Sequence, residues 1–147
     1  DVWNFTANKK GVLTFTDGNY KRIDYDFPRG NIVTPKYGIV LDRVNRGHDI
    51  ADYAYNLGFN TREVEDIVEF FLEELKDTDY VYFSNLPSEN VNDLLLVRVN
   101  PTPDTYIAHI FYAKKLSSRS SMNVISPEFN PLVRKDFSVV IWGSVIE

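Results

Sequence analysis

The stretch from Asn60 to Lys76 constrains the fold more than any other. Val64, Ile67, Val68, Phe71, Leu72 and Leu75 recur at the spacing of one helical face. Asn60 stands where an N-cap belongs, and Glu63 follows three residues later, the spacing of a capping box. Acids crowd the opposite face, and Lys76 falls in the last turn, where the helix dipole favours a cation. The pattern predicts a helix that faces a core on one side and is strongly acidic on the other.

A chain of 147 residues holds one domain with a proper core. Apolar residues make up 44% and charged residues 25%, so the chain is expected to be globular and soluble rather than disordered. Nine Tyr and ten Phe favour strands and half-exposed contact surfaces. The absence of Cys excludes disulfides, thiolate zinc sites and cysteine nucleophiles. No apolar run approaches the roughly 18 residues of a membrane span. No basic-then-apolar leader opens the sequence, and a start at Asp1 suggests a trimmed or mature form.

Other elements follow in order. Residues 1–10 read as a loosely held arm anchored by Trp3 and Phe5. Val12–Thr16 and Tyr20–Phe27 flank Asp17-Gly18-Asn19, a strong hairpin signal. Ile23, Tyr25 and Phe27 alternate with Arg22, Asp24 and Asp26, and Pro28 and Gly30 stop the run. Residues 31–47 hold one short strand, either Ile32–Thr34 or Ile39–Leu41. Asp49 is placed to cap a short helix that Gly58 ends, so residues 49–76 form a helical hairpin.

Tyr80–Phe83 reads as a strand. Leu94–Val99 and Tyr106–Tyr112 are expected to pair antiparallel across the proline-containing turn 100–104. Residues 117–131 read as an irregular loop, and Phe137–Ile146 as a closing strand in which Gly143 marks a bulge or a close approach. The expected architecture is a single α+β domain over residues 1–147. An antiparallel or mixed sheet of about five to seven strands carries an αα-hairpin, residues 49–76, on one face.

The net charge of −5 and pI of about 5.0 weigh against general nucleic-acid affinity. The charge is also divided. Residues 61–76 carry six acids and two bases, whereas residues 114–135 carry five bases and one acid. Hairpin 49–76 has a helix-turn-helix layout, but Glu63, Glu65, Asp66 and Glu69 would face phosphates and repel them. A nucleic-acid-binding module would use that hairpin or the basic 114–135 segment.

A metal-dependent hydrolase would use Asp24 and Asp26, which share a strand face. The same carboxylates read equally as the wet face of a hairpin. His48 lies near Asp49 and Asp52, which are better explained as helix-capping neighbours. His109 lies mid-strand, the setting of a structural histidine. No Ser/His/Asp grouping, nucleophile elbow, phosphate loop or zinc spacing appears.

The expected function is therefore non-catalytic, without cofactor or metal: a structural or protein–protein interaction protein. Its partners would be other proteins or copies of itself, in a larger assembly such as a viral or phage particle. The expected contact residues are Trp3, Phe5, Lys114, Lys115, Arg119, Met122, Phe129, Arg134 and Lys135.

Overall fold

The computed structural model describes residues 2–27, 30–95, 97–130 and 132–147. Asp1, Pro28, Arg29, Leu96 and Pro131 lie outside the described residues. With them go the stop read at Pro28 and one position of the expected 94–99 strand. In chain order the elements are β1 (Thr6–Ala7), β2 (Leu13–Phe15), β3 (Gly18–Tyr20), β4 (Ile39–Asp42), α1 (Arg46–Asn56), α2 (Thr61–Glu74), β5 (Tyr80–Asn85), α3 (Ser88–Leu94), β6 (Thr105–Leu116) and β7 (Ser138–Ile146). The protein is a mixed α+β fold with two sheets.

The capping box at α2 forms as its spacing predicts. Asn60 Oδ1 accepts the Glu63 N–H at 3.0 Å, and Glu63 Oε2 accepts the Asn60 N–H at 2.8 Å. The apolar stripe turns inward at Val64, Ile67, Phe71 and Leu75, while Leu72 stays 43% exposed. α1 begins at Arg46, three residues before the expected cap at Asp49. The cause is the preceding turn, in which the Asn45 N–H donates to Asp42 Oδ1 at 2.8 Å and fixes the chain at the N-cap residue. Gly58 joins the two helices at φ +95°, a conformation that favours glycine.

Instead of one sheet of five to seven strands there are two smaller ones. The sequence β1-β2-β3 forms an antiparallel three-stranded sheet, and β4-β5-β6-β7 a four-stranded one. In the latter, β4 runs antiparallel to β5, β5 antiparallel to β6, and β6 parallel to β7. Two buried clusters lie on its two faces, as strand alternation requires. On one face, Leu41, Val81, Phe83, Ile107, Phe111 and Ala113 meet the inward residues of α1 and α2. Phe71 is fully buried there, its ring edge-on to Phe83 at 5.0 Å and to Phe111 at 5.7 Å. Truncating such a side chain costs about 3–5 kcal/mol. On the other face, Tyr82, Ile110, Tyr112 and Val145 pack against Leu86, Val91 and Leu95.

Two expected strands are corrected. Among the described residues of 94–99 none pairs with Tyr106–Tyr112. Residues up to Leu94 belong to α3, and Leu95, Val97, Arg98 and Val99 have no regular structure. Val91 and Leu95, four apart, bury together, so the apolar run is read by a helix and its exit. Strand β6 takes its antiparallel partner from β5 instead.

The 12–27 hairpin is shorter than expected: Phe15 pairs with Gly18 around Thr16-Asp17, and the second strand stops at Tyr20. Residues 22–27 keep their alternation, with Ile23, Tyr25 and Phe27 half-buried and their neighbours exposed, but they join no ladder. Their period of two reports burial of one side of an extended segment, whose side chains Tyr25 and Phe27 pack on the second cluster. Of the two candidates in 31–47, Ile39–Asp42 is the strand. Gly38, just before it, would place a Cβ 2.6 Å from the Phe83 carbonyl oxygen and the Tyr82 ring.

Candidate functional site

The two edges of the four-stranded sheet are treated differently by the chain. The short edge strand β4 is flanked by the connection between β6 and β7. Along it Ile125 bridges to Tyr37, the Gly38 N–H donates to the Ile125 carbonyl at 2.9 Å, and Arg119 reaches Asp42 at 3.5 Å. Met122 and Val124 pack on one face of the sheet, and Phe129 packs on the other, edge-on to Tyr53 at 5.0 Å. The irregular segment 117–130 is therefore a belt that passes around the β4 edge.

Among the described residues β7 has no such cover. It is nine residues long, reads Ser-Val-Val-Ile-Trp-Gly-Ser-Val-Ile, and contains neither a charge nor a proline. Its ladder with β6 is continuous, so Gly143 marks no bulge. What Gly143 marks is a close approach: a Cβ there would lie 2.8 Å from Phe27 Cε1.

The hydrogen bonds at the two ends of β7 set its direction. The Phe137 carbonyl accepts from the Thr105 N–H. Glu147 donates to the Ala113 carbonyl and accepts from the Lys115 N–H. Odd-numbered residues thus address β6, and Ser138, Val140, Trp142, Ser144 and Ile146 aim their backbone N–H and C=O groups away from the sheet. Among the described residues none of these outward groups has a backbone partner, and no helix or strand runs beside them. The side chains of Val140, Trp142 and Ile146 join the helix-side core, with Trp142 5.6 Å from Phe70.

No family model, no curated protein and no solved structure matches this chain.

The residues expected at a contact surface do not come together. Trp3 and Phe5 are about two-fifths exposed and rest on the N-terminal sheet and its extension: Trp3 lies 5.8 Å from Tyr25, and Phe5 lies 5.2 Å from Phe15. The arm is tied down where β1 pairs with β2 and where Arg62 Nη1 donates to the Lys10 carbonyl at 3.2 Å. Lys114 and Lys115 are successive residues of β6 and so point to opposite faces. Arg119, Met122 and Phe129 belong to the belt. Arg134 clasps Glu63, and exposed Lys135 uses its backbone N–H on Thr105 Oγ1 at 2.8 Å.

Asp24 is exposed and paired with Arg22 at 2.9 Å, and Asp26 is exposed beside it. His48 contacts Asp49 and Asp52 at 3.4 and 3.6 Å, all at the surface of α1. His109 is half-buried against Phe59, and burial pushes its pKa below the ordinary value. Among the described residues no three metal-ligating side chains converge. Among the described residues no helix is long and apolar enough to cross a membrane.

No sequence pattern singles out Arg46, the most deeply buried charge among the described residues, only 2% exposed. Its guanidinium donates to the Leu75 and Thr78 carbonyls, both at 2.6 Å, at the C-terminal end of α2. That cation sits where the helix dipole is negative. The open edge of β7 was legible only as an uncharged strand, because which strand ends a sheet is decided by pairing.

Proposed function

We propose that this protein is a non-catalytic assembly subunit that joins protein to protein through the outer edge of β7, with a second copy of the same chain as its partner. The helical hairpin packed on the sheet serves as scaffold. The unpaired β7 edge is the observation that carries the reading. A row of outward N–H and C=O groups is satisfied best by another strand, and monomeric proteins blunt such edges with lysine, proline, bulges or cover. Among the described residues β7 uses none of these, whereas the chain spends its long connection on covering β4.

A second copy suits the edge by charge. Antiparallel pairing about a two-fold axis sets residues 138–146 of one copy beside residues 138–146 of the other, and that stretch carries no charge to repel its own copy. Two sheets would then merge into one.

Light scattering tests this. The expected mass is about twice the 17.0 kDa of one chain, falling to one chain on dilution. Ser144→Pro removes only an outward N–H, so the β6 ladder survives, and the variant is expected to stay folded and monomeric. A native chain that remains monomeric at high concentration overturns the reading. So does a folded Ser144→Pro variant that still dimerises.

A further inference from the structure

We infer that the outer groove between α1 and α2 binds a basic amphipathic helix of a partner protein. This interface is separate from the β7 edge. The two helices run antiparallel, with Gly47 of α1 against Val68 and Leu72 of α2. Gly47, Ala51 and Tyr55 recur every four residues and form one wall; Val68 and Leu72 continue the floor on the other helix. The groove is open, about 670 Å³, and follows α1 for about 12 Å at 1.5 Å per residue. Small residues at 47 and 51 are what give it depth. Tyr55 and Leu72 add apolar surface to it, 46% and 43% exposed.

The rim identifies the occupant. Glu65, Glu69 and Glu73 stand four residues apart along the α2 side of the groove. Glu73 pairs with Lys76 at 2.6 Å; among the described residues Glu65 and Glu69 pair with no cation. An apolar floor asks for an apolar stripe, and carboxylates at helical spacing ask for Lys or Arg at the matching spacing on a facing helix. The chain's own basic segment does not fill the role, because Arg119 and Arg134 are engaged elsewhere, on Asp42 and Glu63.

The probe is a synthetic helix of about 18 residues, long enough for five turns, with a Leu stripe and Lys at every fourth outward position. A counterpart with Glu in place of Lys is the control. Amide shift mapping on the full chain is expected to place the Lys peptide on Gly47, Ala51, Tyr55, Val68 and Leu72. The double variant Glu65→Gln/Glu69→Gln should weaken it about tenfold, equivalent to about 1.4 kcal/mol, and remove most of its salt dependence. Leu72→Ser should weaken it with the salt dependence intact. Ser144→Pro should leave it unchanged, which separates this groove from the β7 contact. Shifts that map elsewhere overturn the inference, as do equal binding of the two peptides or unchanged affinity in the Gln variant.

Discussion

Arg134 and Glu63 form a two-pronged ion pair, Nη1 to Oε1 at 3.0 Å with Nη2 on the second oxygen, between the segment entering β7 and the first turn of α2. The same guanidinium donates through Nε to the Gly58 carbonyl at 3.0 Å. The same carboxylate is the N3 member of the α2 capping box. One side chain thus closes a helix end and anchors the strand that forms the sheet edge. The opposite charges of 61–76 and 114–135 meet here within one chain.

Glu63→Ala removes both roles at once. The expected loss is about 1–2 kcal/mol, combining a lost cap with a partly buried ion pair. Arg134→Ala should cost less, because the capping box survives. Urea unfolding of the two variants and their double is the check, and the double should lose less than the two singles added.

Arg46 gives a larger effect. Arg46→Met keeps the volume but leaves the carbonyls of Leu75 and Thr78 buried without their donor. The expected destabilisation is about 2–4 kcal/mol. Arg46→Lys should recover only part, since a shorter side chain with a single nitrogen lacks the planar fork whose two nitrogens each reach one carbonyl. Thermal unfolding ranks the three proteins: native, then Lys, then Met.

Gly38→Ala should be among the worst single-methyl changes in the chain. The added carbon would meet the Phe83 carbonyl oxygen and the Tyr82 ring at 2.6 Å, and Tyr82 is fixed by its hydroxyl donating to the Pro35 carbonyl at 2.7 Å. A loss of about 3 kcal/mol is expected. Gly11→Ala is a useful contrast: it meets nothing within 4 Å, and its φ of +75° leaves only backbone strain. Denaturant midpoints of the two variants decide the ranking.

Acid should weaken the fold in two separable stages. Burial holds the His109 pKa below its ordinary 6.5, although a hydrogen bond with Leu57 opposes the shift. The unfolded chain therefore takes up that proton first, and the stability tied to neutral His109 is complete above 6.5 and declines as pH falls below it. The Asn45 backbone N–H holds the Asp42 carboxyl below its ordinary 3.8, so its contribution is present above 3.8 and is lost only at lower pH. His109→Gln should flatten the first stage and spare the second. Urea midpoints measured from about pH 7.5 to about pH 5.5 isolate the histidine.

The sequence by itself determined the elements whose signals are local. The capping box and stripe of α2, Gly58 between the helices, and the strands β5, β6 and β7 all appear where spacing and propensity put them, because a helix face and a pleat are properties of neighbouring residues. Only the tertiary structure decided which segments pair. Leu94 and Leu95 open a run of strand-like composition yet form the end of α3 and its C-cap, since Val91 and Leu95 had a face of the sheet to cover. Residues 22–27 alternate like a strand without a ladder, because alternation records one-sided burial and not a partner. The irregular course of 117–130 is legible in its composition, but its place as a belt around the β4 edge is not, as its scattered apolar residues serve two different faces. The exposed edge of β7 has the same origin. Hydrogen-bond partners lie far away in the chain, so the vacancy on its outer side exists only once the other three strands have taken their places.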